Sequence, residues 1–323
     1  MHMTSTDKLA RWLTTGLCLL LATSMTAVAA DEESAETLPK NLKVISLEVY
    51  PDQVKLDNPF AYRQMLLTGT LKTGETIDLT RLVTLESKPT AVSVSKNGLV
   101  RPLTNGSEEL AFRFGRFKIQ VPVEVSNLEV ARPVSFVQDV APTLSRLGCN
   151  SGTCHGSRVG KNGFKLSLRG YDPLYDHRAL TDDIGSRRFN RAAPDQSLML
   201  LKTTGTIPHV GGARMETGSE YYKLLRGWIS SGAKLDLESP RVRSIQILPA
   251  NPVVPRAGMK QQMSVLATFT DGEIRDVTAE AFIESGDIEI IDAEEGGLLT
   301  VLRRGEAPVL VRYEGAYAAT RLT

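Results

Sequence analysis

Two cysteines and a histidine lie together in a chain that has few of either residue. The stretch Cys149-Asn150-Ser151-Gly152-Thr153-Cys154-His155 holds two of the three cysteines and one of the four histidines. In the pattern Cys-x-x-Cys-His, the two sulfurs bond to haem and the histidine becomes an axial ligand of the iron. Here four residues separate the cysteines instead of two. The small, turn-forming residues between them suit a bulge in such a loop.

The N-terminus predicts export. Lys8 and Arg11 precede an apolar run from Leu13 to Ala22, and small residues at 27–30 offer a cleavage site. We therefore predict a signal peptide at residues 1–30, with the chain exported to the periplasm or the cell surface. An uncleaved N-terminal anchor is the alternative. After cleavage, no integral membrane segment is expected.

Export limits what the two cysteines can do. Cys18 leaves with the signal peptide, so Cys149 and Cys154 are the cysteines that remain. Lone thiols do not persist in an oxidising compartment. The sequence leaves three uses open: thioether bonds to haem, a Cys149–Cys154 disulfide with His155 incidental, or a metal site.

An internal repeat brackets the motif. Residues 46–51 align with residues 244–249 at a shift of 198, and Asp78-Leu79-Thr80 aligns with Asp276-Val277-Thr278. Both copies are rich in β-branched residues and have turn signals at short intervals, which predicts β-sandwiches. Residues 42–128 and 241–323 resemble the group-two bacterial Ig-like domain. The resemblance implies a spacer or adhesion module.

Between the repeats the pattern becomes helical. Ser135 is a candidate N-cap with Gln138 as its reciprocal partner, and this helix would end near Cys149. Ser219 is a second candidate N-cap, for a helix that Gly232 ends. The second helix would bury an apolar face, formed by Tyr221, Leu224, Leu225, Trp228 and Ile229.

The sequence motifs of the central segment are more specific to one family than this helical pattern. Residues 148–156 lead into Lys161-Asn162-Gly163-Phe164-Lys165-Leu166-Ser167-Leu168, and Pro208-His209-Val210-Gly211-Gly212 follows. Residues 132–237 are similar to the planctomycete-type cytochrome c-like module of large exported proteins. The resemblance implies covalent haem c at Cys149 and Cys154, and electron transfer to an unidentified redox partner. The expected fold is multidomain, with two all-β Ig-like sandwiches flanking a mostly α class I cytochrome c-like domain.

If haem binds, the resemblance makes His155 the proximal ligand of the iron. We favour His209 as the distal ligand, because it lies in the loop where class I cytochromes present theirs. Met215 in the same loop is the alternative, and a five-coordinate iron stays open. His177 and the pair Arg187 and Arg188 are expected at the surface.

Composition narrows the other classes of function. The formal net charge is +1 with 23% charged residues, and no basic stripe suggests a nucleic-acid partner. No acid/base pair lies near the motif, so we expect an electron carrier rather than a catalyst. The alternative is a haem-free structural or adhesive cell-surface protein with a Cys149–Cys154 disulfide. In either case the repeats are candidates for contact with the cell surface or a polysaccharide. The chain ends within an expected strand, which favours an N-terminal portion of a larger protein.

Overall fold

The computed structural model describes residues 36–130, 132–185 and 187–323. The predicted signal peptide at 1–30 lies outside these residues. Of the described residues, 33% are in strands and 15% in helices. This part of the chain is therefore mostly β, and its strands form several small sheets.

The first repeat contains ten strands among the described residues. They are β1 Val44–Tyr50, β2 Val54–Leu56, β3 Arg63–Gln64, β4 Leu66–Leu71, β5 Thr76–Asp78, β6 Thr84–Leu85, β7 Val92–Val94, β8 Leu99–Pro102, β9 Gly106–Phe114 and β10 Phe117–Val125. The sheets have the orders β1-β4-β5, β2-β10-β9-β6 and β3-β8-β7. All strand pairs are antiparallel except β2 with β10. Apolar side chains from the sheets form the main core of this repeat, in which Met65, Val100, Leu110 and Val121 are each 0% exposed.

The second repeat follows the same plan. Its strands are β11 Val242–Leu248, β12 Lys260–Gln262, β13 Ser264–Phe269, β14 Ile274–Asp276, β15 Phe282–Ser285, β16 Ile291–Ala293, β17 Leu298–Val301, β18 Ala307–Tyr313 and β19 Ala316–Leu322. The sheet orders β11-β13-β14 and β12-β17-β16 reproduce those of β1-β4-β5 and β3-β8-β7. Strands β4 and β13 also show the same alternation of buried and partly buried residues. The shift of 198 found in the sequence thus relates equivalent positions in the two repeats.

Short helices and turns form the central segment. A π-helical turn at Phe136–Val140 leads into α1 Ala141–Arg146, and α2 Pro173–Thr181, α3 Leu198–Thr203 and α4 Glu220–Ser230 follow. Single 3₁₀ turns lie at Leu168–Gly170 and Pro194–Gln196. Helix α4 packs Leu225, Trp228 and Ile229 into the segment's core, where each is 0% exposed.

The N-caps lie where the sequence places them. The Ser135 hydroxyl accepts a hydrogen bond from the Gln138 amide at 2.9 Å. The Ser219 hydroxyl does the same for the Tyr222 amide at 3.4 Å. The reciprocal partner of Ser135 differs from the expectation, because the Asp139 carboxylate accepts the Ser135 amide at 2.9 Å. The Gln138 side chain instead donates to the carbonyl of Pro240, the residue before repeat 2.

The expected mostly α class I cytochrome c-like domain is wrong. The longest helix in the described central segment, α4, has 11 residues, and α1 and α3 have six each. Left-handed glycines interrupt the chain between α1 and α2, where a helix cannot continue. Those glycines are Gly148, Gly160, Gly163 and Gly170. Turns and loops therefore make up most of the segment, and the described chain as a whole is mostly β.

Candidate functional site

The candidate site begins where α1 ends. The amide of Cys149 donates to the carbonyl of Leu144 at 2.9 Å, which closes the helix through Gly148. Gly148 has a φ of +74°, and a Cβ there would lie 2.7 Å from the guanidinium of Arg214. The end of the helix thus fixes the direction of the backbone at Cys149, and it requires glycine at position 148.

A tight turn returns the chain from Cys149 to His155. The Cys154 amide donates to the carbonyl of Ser151 at 3.0 Å, and the His155 amide donates to that of Cys149 at 3.0 Å. A Cβ on Gly156 would lie 2.0 Å from the Asn150 carbonyl oxygen, so the turn closes only around glycine. The extra residues between the cysteines therefore form a compact turn, as the bulge argument expected.

The Cys149 thiol packs against the apolar core of the central segment. Burial raises the pKa of Cys149 to about 12, and the nearby Cys154 adds to the increase while Arg214 opposes it. The Cys149 sulfur is therefore protonated at neutral pH and is a poor nucleophile. Both cysteines are free thiols in this structure.

The His155 ring is held by a backbone carbonyl. Its Nδ1 lies 3.0 Å from the Phe164 carbonyl oxygen, and the two rings have centroids 4.5 Å apart. Because a carbonyl only accepts, Nδ1 carries the proton and Nε2 keeps its lone pair in the neutral ring. Burial lowers the pKa of His155 from its usual value, which favours this neutral form.

His209 faces His155. The two ring centroids are 6.4 Å apart and the ring planes are within 8° of parallel. His209 is held in the same manner, since its Nδ1 lies 2.9 Å from the Gly212 carbonyl oxygen. Among the described residues, neither Nε2 has a hydrogen-bond partner. The structure therefore brings together the two histidines that the sequence selected.

Contacts to α1 and α3 position the loop that carries His209. The Arg214 side chain donates to the carbonyl of Leu147 at 2.7 Å, which ties the loop to the end of α1. The Lys202 ammonium donates to the Pro208 carbonyl at 2.6 Å. These contacts place His209 beside the turn that carries His155.

Three other residues selected from the sequence, Met215, His177 and Arg188, pack against other parts of the central segment. Met215 is 8% exposed and lies in the segment's apolar core. His177 was expected at the surface, but its Nε2 lies 2.8 Å from the Ala233 carbonyl oxygen and its ring meets the edge of Phe136 at 5.1 Å. Arg188 is buried, with its guanidinium 4.2 Å from the centroid of the Phe164 ring. The expectation of an exposed basic pair is therefore wrong for Arg188.

Sequence reasoning missed a polar cluster where the three parts of the chain meet. The Tyr62 hydroxyl of repeat 1 donates to the Glu280 carboxylate of repeat 2 at 2.5 Å, and it accepts from the Ala279 amide at 3.0 Å. Tyr221 of α4 donates to the Ala279 carbonyl at 3.0 Å. A tyrosine with no local partner gives no sequence signal for such a contact, because its partners lie more than 200 residues away along the chain.

A second set of contacts attaches the central segment to repeat 2. The Arg146 guanidinium pairs with Glu295 at 3.1 Å, and that of Arg275 pairs with Asp139 at 3.6 Å. The Gln138 side chain donates to the Pro240 carbonyl at 2.9 Å. Asp139 before α1 and Arg146 at its last position thus bind repeat 2, and Gln138 binds the residue that precedes that repeat.

The described residues lack two features, a cluster of metal ligands and a membrane-spanning helix. No three His, Cys, Asp or Glu side chains in this part of the chain gather closely enough to hold a metal ion. None of its helices has the length and apolar character needed to cross a bilayer.

No protein-family model and no curated protein matches this chain. Its likeness to domains 5–6 of the S-layer protein SbsC has 12% identity and a TM-score of 0.32, over 87% of this chain and 98% of that one. Its likeness to domains 4–9 of SbsC has 12% identity and a TM-score of 0.31, over 87% of this chain and 31% of that one. Its likeness to extracellular domains 3–5 of Drosophila OTK has 7% identity and a TM-score of 0.17, over 86% of this chain and 61% of that one. At these identities and TM-scores, the likeness carries no conclusion about function.

The identification of the central segment as a cytochrome c with metal-binding and electron-transfer functions is corrected. The segment consists mainly of turns and short helices, and its candidate ligands form no cluster of three among the described residues. The covalent attachment of haem to Cys149 and Cys154 is a separate matter. With His155 and His209 as its axial ligands, it stays a prediction from the sequence.

Proposed function

We propose that this chain is a structural protein of the cell surface, in which two β repeats and the segment between them act as one unit. The observation that carries the proposal is the polar cluster at the meeting point of the three parts. Tyr62, Tyr221 and Glu280 come from repeat 1, the central segment and repeat 2, and the backbone of residue 279 joins them. Buried hydrogen bonds of this kind fix the arrangement of neighbouring parts.

Export supports the surface location. The N-terminus has the charge, apolar run and small residues of a signal peptide. Labelling of intact cells with an antibody to the chain tests this location. Labelling without permeabilisation is expected, and labelling only after cell lysis would contradict it.

In that role the central cysteines form a Cys149–Cys154 disulfide. The turn supports this pairing, because the His155 amide donates to the carbonyl of Cys149 and so holds the second cysteine close to the first. The Cys154 thiol also lies near enough to add to the raised pKa of Cys149, which burial mainly causes. Closing a short loop reduces the entropy of the unfolded chain.

Intact mass and the visible spectrum of the exported protein test the disulfide. A colourless protein, lighter than the dithiol by two hydrogen atoms and restored by reductant, is expected. The variant Cys149→Ser/Cys154→Ser is the control, and its mass should not respond to reductant. A wild-type mass that matches the free dithiol would contradict the pairing.

A haem-bearing product is the other result that this measurement can give. Its signature is a mass gain of one haem, with a Soret band that survives acid-acetone extraction. The short distance between the His155 and His209 rings supports this alternative, since each ring has its Nδ1 at a backbone carbonyl and its Nε2 without a hydrogen-bond partner among the described residues. That result would replace the disulfide and restore the sequence's prediction about the cofactor.

Contact with polysaccharide is the finer part of the proposal. Repeat 1 has an open cleft of about 400 Å³ along β2, β9 and β10. Polar side chains that suit a hydroxyl-rich ligand line it, including Gln53, Lys55 and Glu109. Sedimentation of the protein with isolated cell-wall polysaccharide is expected, and the variant Lys55→Ala/Glu109→Ala should reduce it. Sedimentation that the variant does not change would place the contact elsewhere.

A further inference from the structure

The two repeats meet through contacts that are the same from either side. The backbone amide of Gln64 in repeat 1 donates to the Asp276 carboxylate of repeat 2 at 2.5 Å. The backbone amide of Gln262 in repeat 2 donates to the Asp78 carboxylate of repeat 1 at 2.6 Å. Both pairs of positions differ by 198 in number, so each repeat supplies the same donor and the same acceptor. We call these four residues the repeat junction.

This arrangement is that of an isologous interface. In a two-fold dimer, residue i of one copy contacts residue j of the other, and j contacts i. Positions 64 and 262 play the part of i, and positions 78 and 276 play the part of j. Repeat 1 of a second copy therefore presents the same donor and acceptor that repeat 2 contacts within its own chain.

Each acceptor is fixed within its own repeat before it meets the other. The second oxygen of Asp78 accepts the Thr80 amide at 2.8 Å, and that of Asp276 accepts the Thr278 amide at 3.0 Å. The threonine hydroxyls in turn accept the amides of Leu67 and Val265, at 3.0 and 2.8 Å. The Asp-x-Thr pattern seen in the sequence therefore orients a carboxylate toward a partner repeat.

Each donor is fixed in the same way. The Gln64 side chain donates to the carbonyls of Met65 and Asn97, at 3.0 and 2.5 Å. The Gln262 side chain donates to those of Met263 and Gly296, at 2.9 and 2.6 Å. All four junction residues are at most 6% exposed, so the junction excludes water. Burial also raises the pKa of Asp276 above its usual value.

The chain connections allow the partner repeat to come from another copy. Residues 126–135 join the last strand of repeat 1 to the central segment, and ten extended residues reach about 33 Å. The central segment is attached to repeat 2 by its own contacts, Arg146 to Glu295 and Tyr221 to Ala279. In an exchanged dimer, repeat 1 would therefore move as one unit, while the central segment stays with repeat 2.

We propose that the repeat junction also joins two copies of this chain, by exchange of repeat 1 between them. Repeat 1 of each copy then pairs with repeat 2 of the other, and every junction hydrogen bond is formed twice. Exchange of an identical element is a low-cost route to a dimer because it creates no new surface. A high concentration of the chain favours the exchanged dimer by mass action. The inference does not depend on the proposed surface role.

The first test is to remove the turn in the connection. Deletion of residues 127–130 removes the turn closed by the Val130 amide and the Asn127 carbonyl at 3.1 Å. We expect the shortened connection to hinder the return of repeat 1 to its own chain, so size-exclusion chromatography with light scattering should show twice the mass of one chain. A monomeric deletion variant with native circular dichroism would overturn the proposal.

The second test asks whether that dimer uses the junction. In the deletion background, Asp78→Ala/Asp276→Ala should weaken the dimer at least about ten-fold, because charge-assisted hydrogen bonds are lost at both junctions. Asp292→Ala, at an exposed position, is the matched control and should leave the dimer unchanged. A dimer that both variants leave intact would overturn the proposal.

A third measurement does not depend on the folding of any variant. Two pools of wild-type chain, each carrying a different fluorophore, are mixed at high concentration in mild denaturant and then diluted. Energy transfer that persists after dilution is expected for exchanged chains. The absence of transfer at every concentration would overturn the proposal.

Discussion

At the scale of the residue, Tyr62 shows how one hydroxyl connects distant parts of the chain. It is 6% exposed, donates to Glu280 and accepts from Ala279. Burial is the main reason that its pKa is raised, and the Glu280 carboxylate adds to the effect. The hydroxyl is therefore protonated across the physiological range, and it remains a donor.

Tyr62→Phe should destabilise the protein by about 1–3 kcal/mol, because it leaves the Glu280 carboxylate and the Ala279 amide without this partner. Urea unfolding followed by circular dichroism measures the change. Tyr317→Phe is the matched control, since Tyr317 is 68% exposed, and it should have almost no effect. Equal stabilities of the two variants would show that the hydroxyl has no role in joining the parts.

Glu314 is a carboxylate with an unusual setting. It lies beside Arg241 and Arg275, yet burial raises its pKa from 4.5 to about 7. One of its oxygens has no hydrogen-bond partner among the described residues. The two arginines oppose the increase without cancelling it, so the carboxyl group is half protonated near neutral pH.

This raised pKa predicts the sign of a pH dependence. The folded state binds a proton that the unfolded state releases, so stability is greatest below pH 4.5 and falls as the pH rises to about 7. Between these limits the loss from this group should be on the order of 1–3 kcal/mol. Glu314→Gln should remove it from urea unfolding curves, whereas Glu306→Gln at an exposed site should not. A pH dependence that Glu314→Gln leaves unchanged would contradict the assignment.

At the scale of the element, the turn from Cys149 to Gly156 depends on backbone space. A Cβ at position 156 would meet the Asn150 carbonyl oxygen, and backbone cannot move aside cheaply. Gly156→Ala should therefore cost about 1–3 kcal/mol and weaken the approach of His155 to His209. Gly185→Ala is the control, because nothing lies within 4 Å of a Cβ there.

Trp228 fluorescence during urea unfolding measures this cost, since the indole lies in the core of the same segment. The Gly156→Ala midpoint should be lower than that of Gly185→Ala. Equal midpoints would mean that the turn opens without strain, and that the geometry of the cysteines is not fixed by the glycine.

The elements also show what a sequence can predict here. Local signals were sufficient for both N-caps, because Ser135 and Ser219 need partners only three residues away. The repeat was visible because its strands share burial patterns, as β4 and β13 do. The mostly α expectation failed because helical spacing says little about segments divided by left-handed glycines such as Gly160.

Within the candidate site, the same division holds. Cys149, Cys154 and His155 are neighbours in sequence, and His209 was selected by its loop; the structure places the two rings face to face. The places of Met215 and His177 could not be read from the sequence, since core contacts with residues far along the chain determine them. The same is true of the junction between Asp78 and Gln262, which are 184 residues apart.

At the scale of the whole molecule, buried contacts join the three parts. Arg81 of repeat 1 has a side chain only 2% exposed, and it pairs with Glu36 and Asp78. Its guanidinium also donates to the Lys260 carbonyl of repeat 2 at 3.1 Å. An ion pair of this kind costs much when one partner is removed, because the other charge stays buried. The repeats are therefore expected to unfold together.

Two optical probes can test this cooperativity. The chain has two tryptophans, and Trp12 leaves with the predicted signal peptide, so fluorescence of the processed protein reports on Trp228 alone. Circular dichroism at the strand band reports mainly on the two repeats. Because the junction and the central contacts link all three parts, both probes should give the same urea midpoint for the wild-type protein.

Arg81→Gln should separate the two probes. It leaves Asp78 and Glu36 without their buried cation, which weakens repeat 1 and its attachment to repeat 2 while sparing the core around Trp228. The dichroism midpoint should fall by more than the fluorescence midpoint, and Arg116→Gln on the surface of repeat 1 should shift neither. Separate midpoints in the wild-type protein would show instead that the three parts fold independently, and that the buried contacts join domains already stable on their own.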